Sequence, residues 1–285
     1  MRKNYSWKLP RTLIELGSRT AIMGILNLTP DSFSDGGLYN DPEQAVDRAL
    51  EIEAEGADLL DIGGQSTRPL SSPLGATEEA RRVIPLLERI VSTIKIPVSI
   101  DTYHAEVARL AMTAGAQIIN DISGFRIDPE MINIARKTGA GVVLMHSRGD
   151  RDEIHLQKDG EGPDTIRDEL LQTSAHAVSS GIAAEAIVVD PGIGFSKGRE
   201  TSLKVLKRLD IFSTLGYPLL VGMSRKSFIK IDMPVSEAAD WSTAAAVAMA
   251  VTGGARLVRV HDVAHMRVVV QVADSVLQVG SGEPD

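Results

Sequence analysis

The chain has no cysteine at all. That absence excludes disulfides, thiolate nucleophiles and cysteine-ligated metal, and it fits a reduced, cytoplasmic setting. Positive charge is in short supply: 30 Lys and Arg stand against 38 Asp and Glu, a net charge of -8 with a sequence pI near 5.3. Such a balance counts against nucleic acid or an anionic membrane as the main partner. No apolar run reaches bilayer-spanning length, and the first twenty residues lack the apolar stretch of an export signal. His146 has no second histidine at ligand spacing, which counts against zinc there. No Gly-x-Gly-x-x-Gly follows the first apolar run, which lowers the case for a dinucleotide. What the chain does have is 43% apolar residues across 285 positions, ample for a substantial core.

Short apolar runs alternate with longer amphipathic ones. Strands are expected at 20–26, 58–62, 97–101, 117–120, 141–145, 186–190, 218–221 and 256–260. Helical spacing falls at 41–55, 77–94, 103–114, 129–138, 164–180, 200–209, 236–252 and 262–278. Helix starts are marked by Asp41-Pro42-Glu43-Gln44 and Asp128-Pro129-Glu130, and helix ends by Gly115, Gly139 and Gly181. Val83, Leu87, Ile90, Val91 and Ile94 form one buried stripe, and Pro85 within it predicts a kink or a helix start nearby. Eight strand–helix units of this length predict an α/β fold, a single (β/α)8 TIM barrel over residues 1–285 with its core at about 20–278. Residues 1–18 read as a peripheral extension and 280–285 as a tail.

In such a barrel the ligand meets the C-terminal ends of the strands. Every predicted strand end carries a polar or glycine-rich group: Asn27 to Gly37, Gly63 to Pro69, Asp101, Asn120-Asp121, Met145-His146, Asp190 to Phe195, Gly222 to Ser227, and Arg259 to Asp262. Singly they are weak signals. Asp101 or Asp262 could equally cap the helix that follows, and Asp190-Pro191-Gly192 could be a plain turn. Taken as a set, they share a chemistry. Asp101, Asn120 and Asp190 can pair with a flat, nitrogen-rich heterocycle, because carboxylates accept two adjacent N–H donors and an amide offers both roles. Arg68, Lys226, Arg259 and His261 suit phosphate oxygens or a ring carbonyl. Asn27, with Asp31 and Asp35 near it in sequence, could serve Mg2+, which takes oxygen ligands beside phosphates. Phe33 and Phe195 could flank a ring.

Seven segments carry a resemblance: Gly24 to Gly36, Asp61 to Pro69, Ser99 to Thr102, Ile119 to Gly124, Asp190 to Phe195, Gly222 to Phe228, and Arg259 to Asp262. In residues and in order they resemble the motifs of the dihydropteroate synthase family over about residues 20–275. The resemblance implies a transferase of folate biosynthesis that joins 7,8-dihydropterin-6-ylmethyl diphosphate to 4-aminobenzoate, giving 7,8-dihydropteroate and diphosphate with Mg2+. It implies that Asp101, Asn120, Asp190 and Lys226 hold the pterin, that Arg68, Arg259 and His261 hold the diphosphate, and that Asn27 holds the metal. Thr67, Pro69, Phe195 and Ser227 would shape the aminobenzoate pocket, with Phe33 and Asp35 on a closing loop and Gly222 and Met145 completing the substrate-binding set. Lys226, Arg259, His261, Asp101 and Asp35 would be the catalytic group. A homodimer is the family's habit, and the apolar helix from Ser242 to Val251 fits one, although the barrel's own outer ring could cover it equally well.

The charged run Ser147 to Glu153 departs from the family pattern and is expected to face solvent. Two rival functions use related barrels: a paralogue that binds pterin without turnover, and a corrinoid-linked methyltransferase. The Asn27–Gly37 loop and the Ser-Arg-Lys motif at 224–226 suit a diphosphate leaving group and an aminobenzoate, neither of which the methyltransferase needs; pterin affinity without diphosphate release would mark the paralogue.

Overall fold

The computed structural model describes residues 2–28, 42–65, 74–150, 153–154, 156, 159–231 and 237–279. The chain opens with an antiparallel hairpin of β1 (Tyr5–Lys8) and β2 (Leu13–Leu16). Strand and helix then alternate: β3 (Ala21–Asn27), α1 (Pro42–Glu55), β4 (Leu59–Gly63), α2 (Ala76–Thr93), β5 (Val98–Asp101), α3 (Ala105–Ala114), β6 (Ile118–Asp121) and α4 (Glu130–Thr138). The second half repeats the scheme with β7 (Gly141–Met145), α5 (Pro163–Ser179), β8 (Ile187–Asp190), α6 (Arg199–Lys207), β9 (Leu220–Gly222), α7 (Ala238–Thr252), β10 (Leu257–Val260) and α8 (Val263–Gln278).

The eight strands from β3 onward are parallel and pair in the order β8-β7-β6-β5-β4-β3-β10-β9. A parallel bridge between Val189 and Leu219, with Val189 N–H donating to the Pro218 carbonyl at 3.0 Å, joins the two outer strands and closes the barrel. These strands are buried along nearly their whole length, as strands covered by helices on one side and by a barrel interior on the other must be. Each helix turns one stripe inward; on α2 the stripe is Val83, Leu87 and Ile90, all with no exposed surface. That helix neither starts nor stops at Pro85 but runs through it. Gly115 and Gly139 end α3 and α4 with positive φ (113° and 66°), the left-handed cap that a side chain would resist.

Register matters more to function than order does. Asn27 is level with Gly63, Gly63 with Asp101, and Asp101 with Asn120 across β3, β4, β5 and β6. On the other side Met145 is level with Asp190, and Gly222 with Arg259. The barrel therefore presents these side chains in one layer at its C-terminal mouth.

Residues 2–18 are not peripheral, contrary to the expectation from sequence. Trp7, Leu9 and Leu16 are buried against Met23, Leu59, Ile118, Val143, Val188, Leu220 and Leu257, which come from seven of the barrel strands. The indole Nε1 donates to the Ala186 carbonyl at 2.9 Å. Gly141, the first residue of β7, makes room for this plug: a Cβ there would lie 2.2 Å from Leu9 Cδ2. Its strands, YSWK and LIEL, bury one residue each and are not followed by a helix, so they lack the pattern of apolar run and then helix that marks the barrel strands, and the hairpin escapes a reading of the sequence.

On the outer ring, α7 buries Thr243, Ala246, Val247, Ala250 and Val251 and leaves Trp241 and Met249 exposed, while Val268, Val272 and Val276 are exposed on neighbouring α8. No helix among the described residues is long and apolar enough to cross a membrane. Trp7→Ala should lower the unfolding free energy by about 3 kcal/mol or more, since it empties a buried site and orphans the Ala186 carbonyl. Urea denaturation measures it; a change below ~0.5 kcal/mol would contradict the plug.

Candidate active site

The mouth of the barrel is built around an arginine in an apolar strand. Arg259 sits third in β10 with Leu257, Val258 and Val260 around it, so its guanidinium needs partners as it leaves water. Asp61, fully buried on β4, accepts from Arg259 Nε at 2.6 Å, and Asp101 accepts from Arg259 Nη2 at 2.7 Å. The same Asp61 Oδ2 also accepts from Asn120 Nδ2 at 2.9 Å, which orients the amide and leaves its oxygen for another donor. Burial acts against the arginine's charge, but Asp61 and Asp101 outweigh it and raise its pKa. Asp101 is pulled both ways. Its ion pair with Arg259 favours the carboxylate, while burial favours the neutral acid; burial is larger, with Asp61 and Glu79 adding to it, and the pKa rises to about 7.

A second cluster lies one strand away. Asp190 ends β8 and accepts from the Gly192 amide at 2.7 Å; burial raises its pKa against the pull of Lys226. Lys226 follows β9 and donates from Nζ to the Ile193 carbonyl, with the same nitrogen 4.4 Å from the centre of the Phe195 ring. Burial lowers this ammonium to about 8, opposed by Asp190 and Asp101 and helped by Arg259. Gly194, at φ +84°, gives the lysine its channel, because a Cβ there would stand 3.0 Å from Lys226 Cδ. Ser227 opens the short 3-10 turn that follows. His261 is anchored through Nδ1 to Ser224 Oγ at 2.9 Å, and its backbone amide donates to the same oxygen at 3.3 Å. Met145 is buried with Tyr103, Ile122 and Ile154, and Phe195 packs against them.

Eleven of the sequence-predicted residues are thus placed in this mouth: Asn27, Asp101, Asn120, Met145, Asp190, Phe195, Gly222, Lys226, Ser227, Arg259 and His261. Phe33, Asp35, Thr67, Arg68 and Pro69 lie outside the described residues. The ambiguity between cap and ligand is settled differently at the two aspartates. Asp262 caps α8, accepting from the His265 amide at 3.1 Å, whereas Asp101 is taken by Arg259. Asp61 is the residue that sequence reasoning misses; a lone carboxylate in an apolar strand is the signal that could have marked it, since such a charge must find a partner. The charged run after β7 is corrected in part: Asp150 and Glu153 face solvent as expected, but its first residues do not. Ser147 is buried and donates to the Ile122 carbonyl at 2.7 Å, and Arg148 pairs with Glu169 at 2.6 Å and with Glu161, anchoring the segment to α5.

For a metal, the described residues hold no group of three His, Asp or Glu side chains at ligand spacing. Asn27 nonetheless stands at the end of β3, half-buried, beside Gly63 and close to Asp101: a Cβ on Gly63 would lie 3.5 Å from Asn27 Oδ1 and 3.6 Å from Asp101 Cβ. One amide oxygen suits Mg2+, which is often held by one or two protein oxygens plus water and phosphate.

Together, fold and site define a (β/α)8 enzyme with heterocycle-pairing and cationic groups in its mouth, and the chain belongs to the pterin binding enzyme family, which it matches over residues 23–261. Its relatives narrow this further. It is 44% identical over 264 residues to the dihydropteroate synthase of Bacillus subtilis (strain 168), covering 92% of this chain and 90% of that one. The Xanthomonas albilineans dihydropteroate synthase with 4-aminobenzoic acid superposes with a TM-score of 0.88 at 36% identity, covering 97% of this chain and 100% of that one. The enzyme from the same organism in complex with 7,8-dihydropteroate gives 0.83 at 35%, covering 96% and 99%. These matches place the chain among the dihydropteroate synthases, which are transferases of folate synthesis.

Asp61→Ala should destabilise the fold by about 3 kcal/mol or more, because it strands a buried guanidinium. Asp240→Ala, which removes the exposed partner of Arg225, should cost less than about 1 kcal/mol. Equal costs in denaturant unfolding would contradict the clamp.

Proposed function

We propose that this site condenses 7,8-dihydropterin-6-ylmethyl diphosphate with 4-aminobenzoate, with Mg2+ on the diphosphate. The observation that carries the reading is the level pairing of Asp101 and Asn120 on adjacent strands, with Arg259 bonded to Asp101 and to the Asp61 that also accepts from Asn120. Asp101, the Asn120 oxygen and Asp190 accept the N–H edge of the pterin, and Lys226 donates to its ring carbonyl. Arg259 and His261 take diphosphate oxygens, with Ser224 fixing the imidazole. Phe195 walls the aminobenzoate side. Bound Mg2+, held by Asn27, supplies positive charge against the diphosphate.

The reaction is a substitution at the pterin methylene carbon: the C–O bond to diphosphate breaks, the aniline nitrogen bonds to carbon, and that nitrogen gives up a proton. The electron-rich dihydropterin stabilises the developing cation, so the protein needs no covalent nucleophile, and the absence of cysteine is no obstacle. What the side chains contribute is alignment of the two reactants and fixed charge opposite the leaving group. The absence of cysteine also fits a cytoplasmic site of action.

Lys226→Ala and Arg259→Ala should each lower turnover at least tenfold, about 1.4 kcal/mol of transition-state stabilisation, and a chelator should abolish diphosphate release until Mg2+ is restored. Unchanged kinetics in both variants would contradict the site. The rate should also depend on pH in a bell. With Asp101 raised to about 7, its accepting carboxylate form grows as pH rises through 7; with Lys226 lowered to about 8, its donating ammonium is lost above 8. The specificity constant for the pterin diphosphate should therefore peak between these values, and Lys226→Arg should remove the alkaline limb while keeping the acid one. A flat profile from about pH 6 to 9 in steady-state assays would count against both assignments.

A further inference from the structure

Lys197 has no role in the chemistry described above, yet it is among the most enclosed charged groups of the protein, 3% exposed. Its Nζ donates to three carbonyls: His146 at 3.1 Å, Gly192 at 3.0 Å and Phe195 at 3.0 Å. Three donors meet three acceptors, the full capacity of an ammonium. His146 belongs to the loop after β7, and Gly192 and Phe195 belong to the loop after β8, so one side chain ties two loops together from beneath.

The tied loop is tightly folded. Gly192 has φ +63°, and a Cβ on it would lie 2.0 Å from the His146 carbonyl oxygen, so the two loops touch there. Ser196 adopts φ +46°, a left-handed conformation that a serine holds only under constraint. Its constraints come from the neighbouring loop: the Arg148 amide donates to Ser196 Oγ at 2.8 Å, and the Ser196 amide donates to the Ile154 carbonyl at 3.0 Å. On its opposite side, the same loop offers the Ile193 carbonyl and the Phe195 ring to Lys226. The loop is thus held by one lysine from below and meets the other at the site.

We propose that Lys197 is a positioning residue for the aminobenzoate half of the site: it fixes the height of Phe195 over the mouth by holding the Gly192 and Phe195 carbonyls against the loop of His146. The proposal rests on Phe195 walling the aminobenzoate, as assigned above. The pterin half touches this loop only where Asp190 accepts from the Gly192 amide and Lys226 donates to the Ile193 carbonyl; its remaining bonds, those among Asp61, Asp101, Asn120 and Arg259, lie on other strands. Loss of Lys197 should therefore weigh far more on the aminobenzoate substrate than on the pterin.

The test uses Lys197→Met, which keeps length without donors, and Lys197→Gln, which restores donors to the carbonyls without charge. Both are measured beside the wild type for folding by circular dichroism, for pterin diphosphate affinity, and for the Michaelis constant of the aminobenzoate substrate. The methionine variant should raise that constant at least tenfold while pterin affinity stays within threefold, and the glutamine variant should recover part of the loss. An unchanged Michaelis constant, or equal losses for both substrates, would overturn the assignment. So would failure of both variants to fold, since Lys197 would then serve the fold alone. If the wild type binds pterin diphosphate but makes no dihydropteroate, it is the proposed function that fails, and this assignment falls with it.

Discussion

A guanidinium held between two buried carboxylates is the constraint on which this site depends. Arg259 leaves an apolar strand into a poorly hydrated mouth, and only the pair of bonds to Asp61 and Asp101 makes that position tolerable. The consequences spread across the barrel. Asp61 is committed to the arginine and in turn orients Asn120, so β4, β5, β6 and β10 are linked through charge as well as through their distances around the ring. Asp101 is left with a pKa near neutrality because the arginine cannot fully offset its burial.

The scaffold explains why the bonds are possible. Parallel strands in this register bring Asn27, Gly63, Asp101 and Asn120 to one level on one side and Met145 with Asp190 on the other. The opposite end of the barrel is sealed by Trp7, Leu9 and Leu16 rather than by barrel side chains alone. Stability and chemistry are therefore placed at opposite ends, as the fold's geometry favours. Glycines appear where backbone and side chain would otherwise collide, at Gly194 beneath Lys226 and at Gly192 against His146.

Much of this is legible in the sequence. Eight apolar runs with helical spacing between them predict the barrel, and the position of Asp101, Asn120, Asp190, Lys226 and Arg259 at strand ends predicts the site. What is not legible has physical reasons. The strands of the β1–β2 hairpin bury one residue each and no helix follows them directly, and the hairpin's burial comes from tertiary contacts with seven strands. Asp61 looks like part of a strand because its partner is 198 residues away in sequence. Arg148 reads as a solvated charge because its partners, Glu161 and Glu169, come from a separate part of the chain. Lys197 follows a turn, and nothing local shows that its amine faces three carbonyls rather than water. In each case a pairing made only on folding decides the role, and no local pattern encodes such a pairing.

The central claim is that the Arg259-centred mouth transfers a pterin-methyl group to an arylamine. The most direct test is to follow diphosphate and dihydropteroate together in a single turnover of the wild type with Mg2+ and the pterin diphosphate, before and after 4-aminobenzoate is added. One diphosphate appearing for each dihydropteroate, with product formed only once 4-aminobenzoate is present, is the predicted result. Tight pterin binding with neither product on adding 4-aminobenzoate would contradict it.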